Sequence, residues 1–181
     1  TGVRLNPRLP EARVGRAAVL SLDGRAEEAL PHARSAVSWR PHDPNLHHIL
    51  GEVLRLAGKR EEAVGALGEA ARLDPGWAVP RFVMARTLAE MGRTQEALAA
   101  LAEADGLTRA RNPSDPEPDR YEALVYTRID PARAIAAWDR YLSAVTRAKA
   151  LSPQQVTQAL EALAAREELQ KGKDGRGAAG R

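Results

Sequence analysis

Between Asn45 and Leu56 the apolar side chains Ile49, Leu50, Val53, Leu54 and Leu56 form a wide stripe at helical spacing. Gly58 interrupts the stripe, and a second one follows from Glu61 to Leu73 through Ala63, Val64, Leu67, Ala70, Ala71 and Leu73. Asp74-Pro75 closes it, because proline disfavours helical geometry at the residue before it. The pattern predicts two helices joined by a tight turn, at which glycine takes positive φ without steric cost. It recurs along the chain. Gly24, Gly58 and Gly92 are 34 residues apart, as are Leu20, Leu54 and Leu88, Ala29, Ala63 and Ala97, and Ala36, Ala70 and Ala104. Pro7, Pro41 and Pro75 punctuate the copies at the same interval. A fixed period of this length marks a stacked array in which each unit buries its apolar face against its neighbours.

Small residues hold matching places in the first helix (Ala17, Gly51, Ala85) and in the second (Ala29, Ala63, Ala97). They allow the two helices to approach closely, while Leu and Val on flanking turns fill the gaps between pairs. A fourth, less regular unit follows. Ala134–Leu142 reads as its second helix, with Asp130 as N-cap and Pro131 at the first helical position, and Tyr121–Arg128 as its first. Ala97 to Ala134 is 37 residues, three more than the period, and the excess falls in Thr108–Pro118, which predicts an exposed loop. Ser152 with Gln155 forms a capping box that opens a terminal helix over 152–170. In that helix Val156, Leu160 and Leu163 share one face and are expected to point inward, with Glu161, Arg166, Glu167 and Glu168 outward. Residues 171–181 are Gly-rich and basic and predict a disordered tail.

Gly24-Arg-Ala-Glu-Glu-Ala-Leu30, Gly58-Lys-Arg-Glu-Glu-Ala-Val64 and Gly92-Arg-Thr-Gln-Glu-Ala-Leu98 agree in register. With a small residue and Leu in the first helix, Ala late in the second and Pro after it, the chain resembles the tetratricopeptide repeat (TPR) family over about Pro10–Leu107. The resemblance implies an all-α, right-handed α-solenoid of helix-turn-helix repeats with a C-terminal capping helix. Its expected divisions are a remnant of an earlier repeat (1–9), repeats at 10–43, 44–77 and 78–107, and a loop at 108–117. A degenerate unit (118–149), the cap (152–170) and the basic tail (171–181) complete them. Gly2, Val3, Leu5 and Pro7 match Ala36, Val37, Trp39 and Pro41 shifted by one period, so the 181 residues are expected to be an excerpt of a longer array. One departure concerns the early position of the first helix, often aromatic or Leu in the family but Arg13, His47 and Arg81 here.

Composition narrows the chemistry. There is no cysteine, which excludes disulfides and thiolate metal sites, and no apolar run long enough to span a membrane. Formal net charge is +3, and residues 170–181 carry four basic side chains against Asp174, so the remainder is neutral overall. Only four of the 27 basic residues are Lys and Ala is abundant, which points to a GC-rich, bacterial genome. Aromatic residues make up 4% of the chain, too few for a row of base-stacking platforms, so no nucleic-acid partner is expected. The three Trp residues, Trp39, Trp77 and Trp138, are expected to pack first, with Trp77 a second choice as a groove-edge anchor. His47 and His48 are adjacent and point apart, so they do not make a metal site. Gly51–Lys59 lacks the spacing and the Ser or Thr of a phosphate loop. No nucleophile constellation is present, and neither an enzyme nor a cofactor is expected.

In the TPR family the first helices line a concave groove that holds a peptide or partner helix. Carried onto this sequence, the resemblance implies a groove of Val14, His48, Ile49, Glu52, Arg55, Val79, Phe82, Val83 and Arg86. Its centre would be apolar and its border of mixed charge, suited to an apolar or amphipathic segment. The positions that clamp a chaperone's C-terminal carboxylate in some relatives are Val14, Ala18, Ile49, Val79 and Val83 here. None donates a side-chain hydrogen bond, so that ligand is excluded. The expected function is a protein–protein interaction scaffold. The alternative is a regulatory or substrate-recruiting segment of a larger enzyme or of a secretion or assembly machine, and self-association through an uncovered end is a third. On this reading Phe82→Ala and Arg86→Glu weaken binding without changing helicity.

Overall fold

The computed structural model describes residues 15–17, 19–21, 23–147 and 152–178, the last six by backbone alone. Every regular element among them is helical. Helix α1 includes residues 15–17 and 19–21. It is followed by α2 (Ala26–Trp39), α3 (Pro44–Leu56), α4 (Arg60–Leu73), α5 (Val79–Glu90) and α6 (Thr94–Arg111). Then come α7 (Glu117–Ile129), α8 (Pro131–Thr146) and α9 (Pro153–Ala178). From α2 onward each helix packs on the next in the chain, and α5 also touches both α3 and α7. The result is an all-α solenoid. Val14, the remnant at 1–9 and the start of the first repeat lie outside the described residues.

The turn glycines behave as their spacing requires. Gly24, Gly58 and Gly92 have φ of 73°, 75° and 76°, in the left-handed region that costs other L-residues strain. The helix pairs close on the small columns: Ala17, Ala29, Ala63, Ala85 and Ala97 have no exposed surface. Two further members extend the first-helix column beyond the regular repeats, Ala123 in α7 and Ala162 in α9, both fully buried. The core is a series of clusters rather than one body. One joins Leu20, Leu30, Val53 and Leu54, the next Phe82, Leu88, Leu101, Val125 and Tyr126, and the last Trp138, Tyr141, Val145 and Ala162. The early-helix departures also acquire a role. His47 Nε2 donates to the carbonyl of Pro41 at 2.8 Å, and Arg81 Nη1, one period on, donates to that of Pro75 at 3.1 Å. Each satisfies a backbone acceptor in the connection before its helix.

The capping devices form as the sequence requires. Asp130 accepts from the amides of Ala132 and Arg133, and Ser152 and Gln155 exchange hydrogen bonds at 2.9 and 3.2 Å. Four expectations change. The loop expected at 108–117 is shortened to 112–116: α6 runs to Arg111, one turn past Leu107, the counterpart of Leu73 at the end of α4. No proline stops α6 there, and Arg109 and Arg111 sit favourably at its C-terminal dipole. In α9 the inward face is Ala162 with Ala159, Ala165 and Leu169, whereas Val156, Leu160 and Leu163 are 43%, 62% and 44% exposed. Close approach to α8 selects the alanine face, and the bulky stripe is left facing solvent. Trp39, expected to pack, is 56% exposed. The tail from Lys171 continues α9 to Ala178, there being no proline after Pro153 to end it, and 179–181 lie outside the described residues.

The closeness of the helix pair is testable at two glycines. A Cβ on Gly51 would lie 2.6 Å from Leu67 Cγ and 2.8 Å from its Cδ2, and Leu67 is fully buried. Gly51→Ala is expected to destabilise the fold by about 1–3 kcal/mol in urea unfolding. Gly65→Ala, on an exposed face of α4 with nothing near the new methyl group, should stabilise it by about 0.5–1 kcal/mol.

Candidate functional site

One cavity of about 660 Å³ is bordered by side chains from α3, α5, α7 and α9, so these alternate helices form the inner wall of the array. His48, Glu52 and Arg55 come from α3, Val83 and Arg86 from α5, and Arg120 and Tyr121 from α7. Gln154, Thr157, Gln158 and Glu161, on successive turns of α9, close the far side. The hollow is walled by the terminal helix and not filled by it.

The electrostatics centre on Glu90, near the C-terminal end of α5. Its carboxylate receives Arg55 Nη1 at 3.4 Å, Arg86 Nε at 3.3 Å and Arg60 Nε at 3.3 Å. Arg55 and Glu90 are mostly buried, at 11% and 17% side-chain exposure, so this interaction is less screened than a surface pair. Burial lowers the Arg86 pKa, as does repulsion from Arg55, while Glu90 and Glu52 oppose the shift. Arg120 is held by Glu117 at 2.7 Å and lies 4.4 Å over the Tyr121 ring. Two buried nitrogens at this wall make no hydrogen bond, Arg55 Nε and His48 Nδ1. Glu52 and Glu161 likewise have no ion-pair partner among the described residues. The His48 ring sits edge-on to Trp77 at 4.9 Å, and burial lowers its pKa against a smaller opposing effect of Glu52.

Of the nine residues expected in the groove, His48, Glu52, Arg55, Val83 and Arg86 border this cavity. Val14 lies outside the described residues. Ile49 is half-buried against the core of the first two units. Val79 borders a separate cavity at the edge of the wall. Phe82 is 1% exposed and stacks face to face on Tyr121 at 4.6 Å, which makes it a core residue. Val83 is 2% exposed although its edge reaches the cavity. The expected apolar centre is therefore replaced by a charged and amide-bearing one, because α7 covers the apolar column of α5. Arg120 and Tyr121 were not among the expected residues because the columns stop at the third regular repeat. Aligning Ala123 with Ala85, a step of 38, places them opposite Phe82 and Val83.

No family model and no curated protein matches the chain. Solved structures do. A TPR protein of Thermus thermophilus, TTC0263, superposes with a TM-score of 0.67 at 22% identity, over 87% of this chain and 83% of that one. This is a TPR fold. YrrB, a TPR protein with an unusual peptide-binding site, matches with a TM-score of 0.56 at 20% identity over 84% and 73%. The Yersinia enterocolitica type III secretion translocator chaperone SycD matches with 0.60 at 20% over 70% and 96%. Among the described residues no helix is long and apolar enough to cross a membrane, and no three metal-ligating side chains converge.

Phe82→Ala is expected to cost about 3–5 kcal/mol of stability, the range for emptying a buried aromatic site, with loss of cooperative unfolding as the readout. The pH dependence follows from His48. Its folded pKa lies below the ordinary 6.5, so the unfolded chain binds the proton first and stability falls as pH drops below about 6.5. His48→Gln should flatten the loss of urea midpoint between pH 7.5 and 5.5 relative to the parent.

Proposed function

We propose that the chain is a non-catalytic interaction module that holds a segment of another polypeptide along the inner faces of α3, α5, α7 and α9. The observation that carries this reading is the single cavity shared by four alternate helices, with buried nitrogens left unpaired at His48 and Arg55. A buried polar group without a partner costs about 1–3 kcal/mol, which a ligand supplying that partner recovers. An extended peptide has the matching chemistry, a donor and an acceptor at nearly every residue. YrrB has a peptide-binding site and SycD is a chaperone, and both share this fold. The polar lining favours a segment with charged or amide side chains over the wholly apolar one expected from sequence.

A displayed dodecapeptide library selected on the immobilised chain tests this directly. Enriched peptides, resynthesised, should bind Glu52→Lys and Arg86→Glu at least tenfold more weakly (about 1.4 kcal/mol) with circular dichroism unchanged. Equal affinity for both variants, or no enrichment at all, would remove the proposal.

A further inference from the structure

One titratable ring stands between the inner cavity and the corner that opens α5. His48 borders the cavity, lies edge-on to Trp77 with ring centroids 4.9 Å apart, and keeps its buried Nδ1 without a hydrogen bond. That position suits a neutral imidazole. It does not suit an imidazolium, which carries N–H on both nitrogens and would bury one of them with no acceptor. The Trp77 ring offers a cation some attraction, but burial outweighs it here, because the pKa of His48 is lowered.

An acceptor stands one turn away. Glu52 is four residues further along α3, and helical side chains lean back toward the N-terminus, so its carboxylate inclines toward His48. Its charge favours the protonated ring. The other charged groups on the surrounding elements are directed elsewhere. Arg55 on α3 and Arg86 on α5 turn to Glu90, and Arg120 on α7 turns to Glu117. On α4, Glu69 is held by Arg72 and Glu62 by Arg34 of α2. His47 bonds the Pro41 carbonyl, and Asp74, before Trp77, accepts from the Gly76 amide. Glu161 of α9 closes the far side of the cavity.

We propose that His48 is an acid-operated switch in the cavity wall: on protonation its ring leaves Trp77 and turns to the Glu52 carboxylate. The bound proton adds one positive charge to the wall, the Nδ1–H gains an acceptor, and the Trp77 indole loses the ring that covers it. At neutral pH the Glu52 charge supports that of Arg86. In mild acid the same carboxylate is taken up by His48. The inner face of the array therefore presents two charge patterns on one unchanged set of helices.

The test is an NMR pH titration of the ¹³C,¹⁵N-labelled full chain. At pH 7.5 a nuclear Overhauser contact between the His48 and Trp77 rings is expected. It should fade toward acid pH with the midpoint of the His48 ring shifts, which lies below the ordinary 6.5. A contact between His48 and the Glu52 side chain should replace it while the backbone amides stay dispersed. Glu52→Gln should move the midpoint to lower pH and prolong the Trp77 contact. Glu52→Asp, which keeps a carboxylate, should retain the exchange of partners. Should Glu52→Gln not fold, the exchange of contacts in the parent decides. A Trp77 contact that survives protonation of the ring, or an unchanged midpoint in Glu52→Gln, would overturn the proposal. So would a ring still neutral at pH 5, or loss of amide dispersion in step with His48.

Discussion

Every level of this architecture depends on how closely two helices can approach. Where Ala17, Ala29, Ala63, Ala85 and Ala97 meet, nothing larger than a methyl group separates backbone from backbone, and at Gly51 not even that is accommodated. Close approach aligns the helices of a pair, which sets the angle at which the next pair packs. That angle turns the odd-numbered helices inward, and the inner cavity follows from it. The positive-φ glycines serve the same end by keeping each turn short.

Electrostatics are layered onto this packing and do not create it. The bridges Lys59–Glu27 and Arg93–Glu61 repeat at the interval of the fold and tie neighbouring units, but their acidic partners are largely exposed. Such pairs contribute about 0–1 kcal/mol each. The cluster on Glu90 differs because it is mostly buried and because three guanidinium groups converge on one carboxylate. It orients Arg55 and Arg86 at the cavity wall, and it leaves Arg55 Nε without a partner.

The solenoid was legible in the sequence because repetition multiplies weak signals. No single Gly or Ala specifies a turn or a contact, but three in register do. Single-copy features at the starts of α8 and α9 were legible for another reason, since Asp130 and the Ser152–Gln155 pair carry their mechanism locally. The site was legible only in part. Arg55, Glu52 and Arg86 could be placed by period, whereas the burial of Phe82 depends on Tyr121, which sits beyond the irregular step and falls out of phase. The orientation of α9 was hidden because its Ala-rich face and its Leu-Val face are equally amphipathic. Only packing against α8 decides between them. The additional turn of α6 was hidden because a loop and a short helical extension share the same polar composition.

The core is divided into clusters strung along the chain, each bonded chiefly to the one beside it. A body so connected bends as a spring does: slight rotations at successive junctions add up, and curvature is a soft variable rather than a fixed shape. Since one hollow is bounded by α3 at one extreme and α9 at the other, whatever bridges them sets the pitch of every coil between. Occupancy would thereby be felt on the outer surface too, as a change in the spacing of helices that no ligand touches.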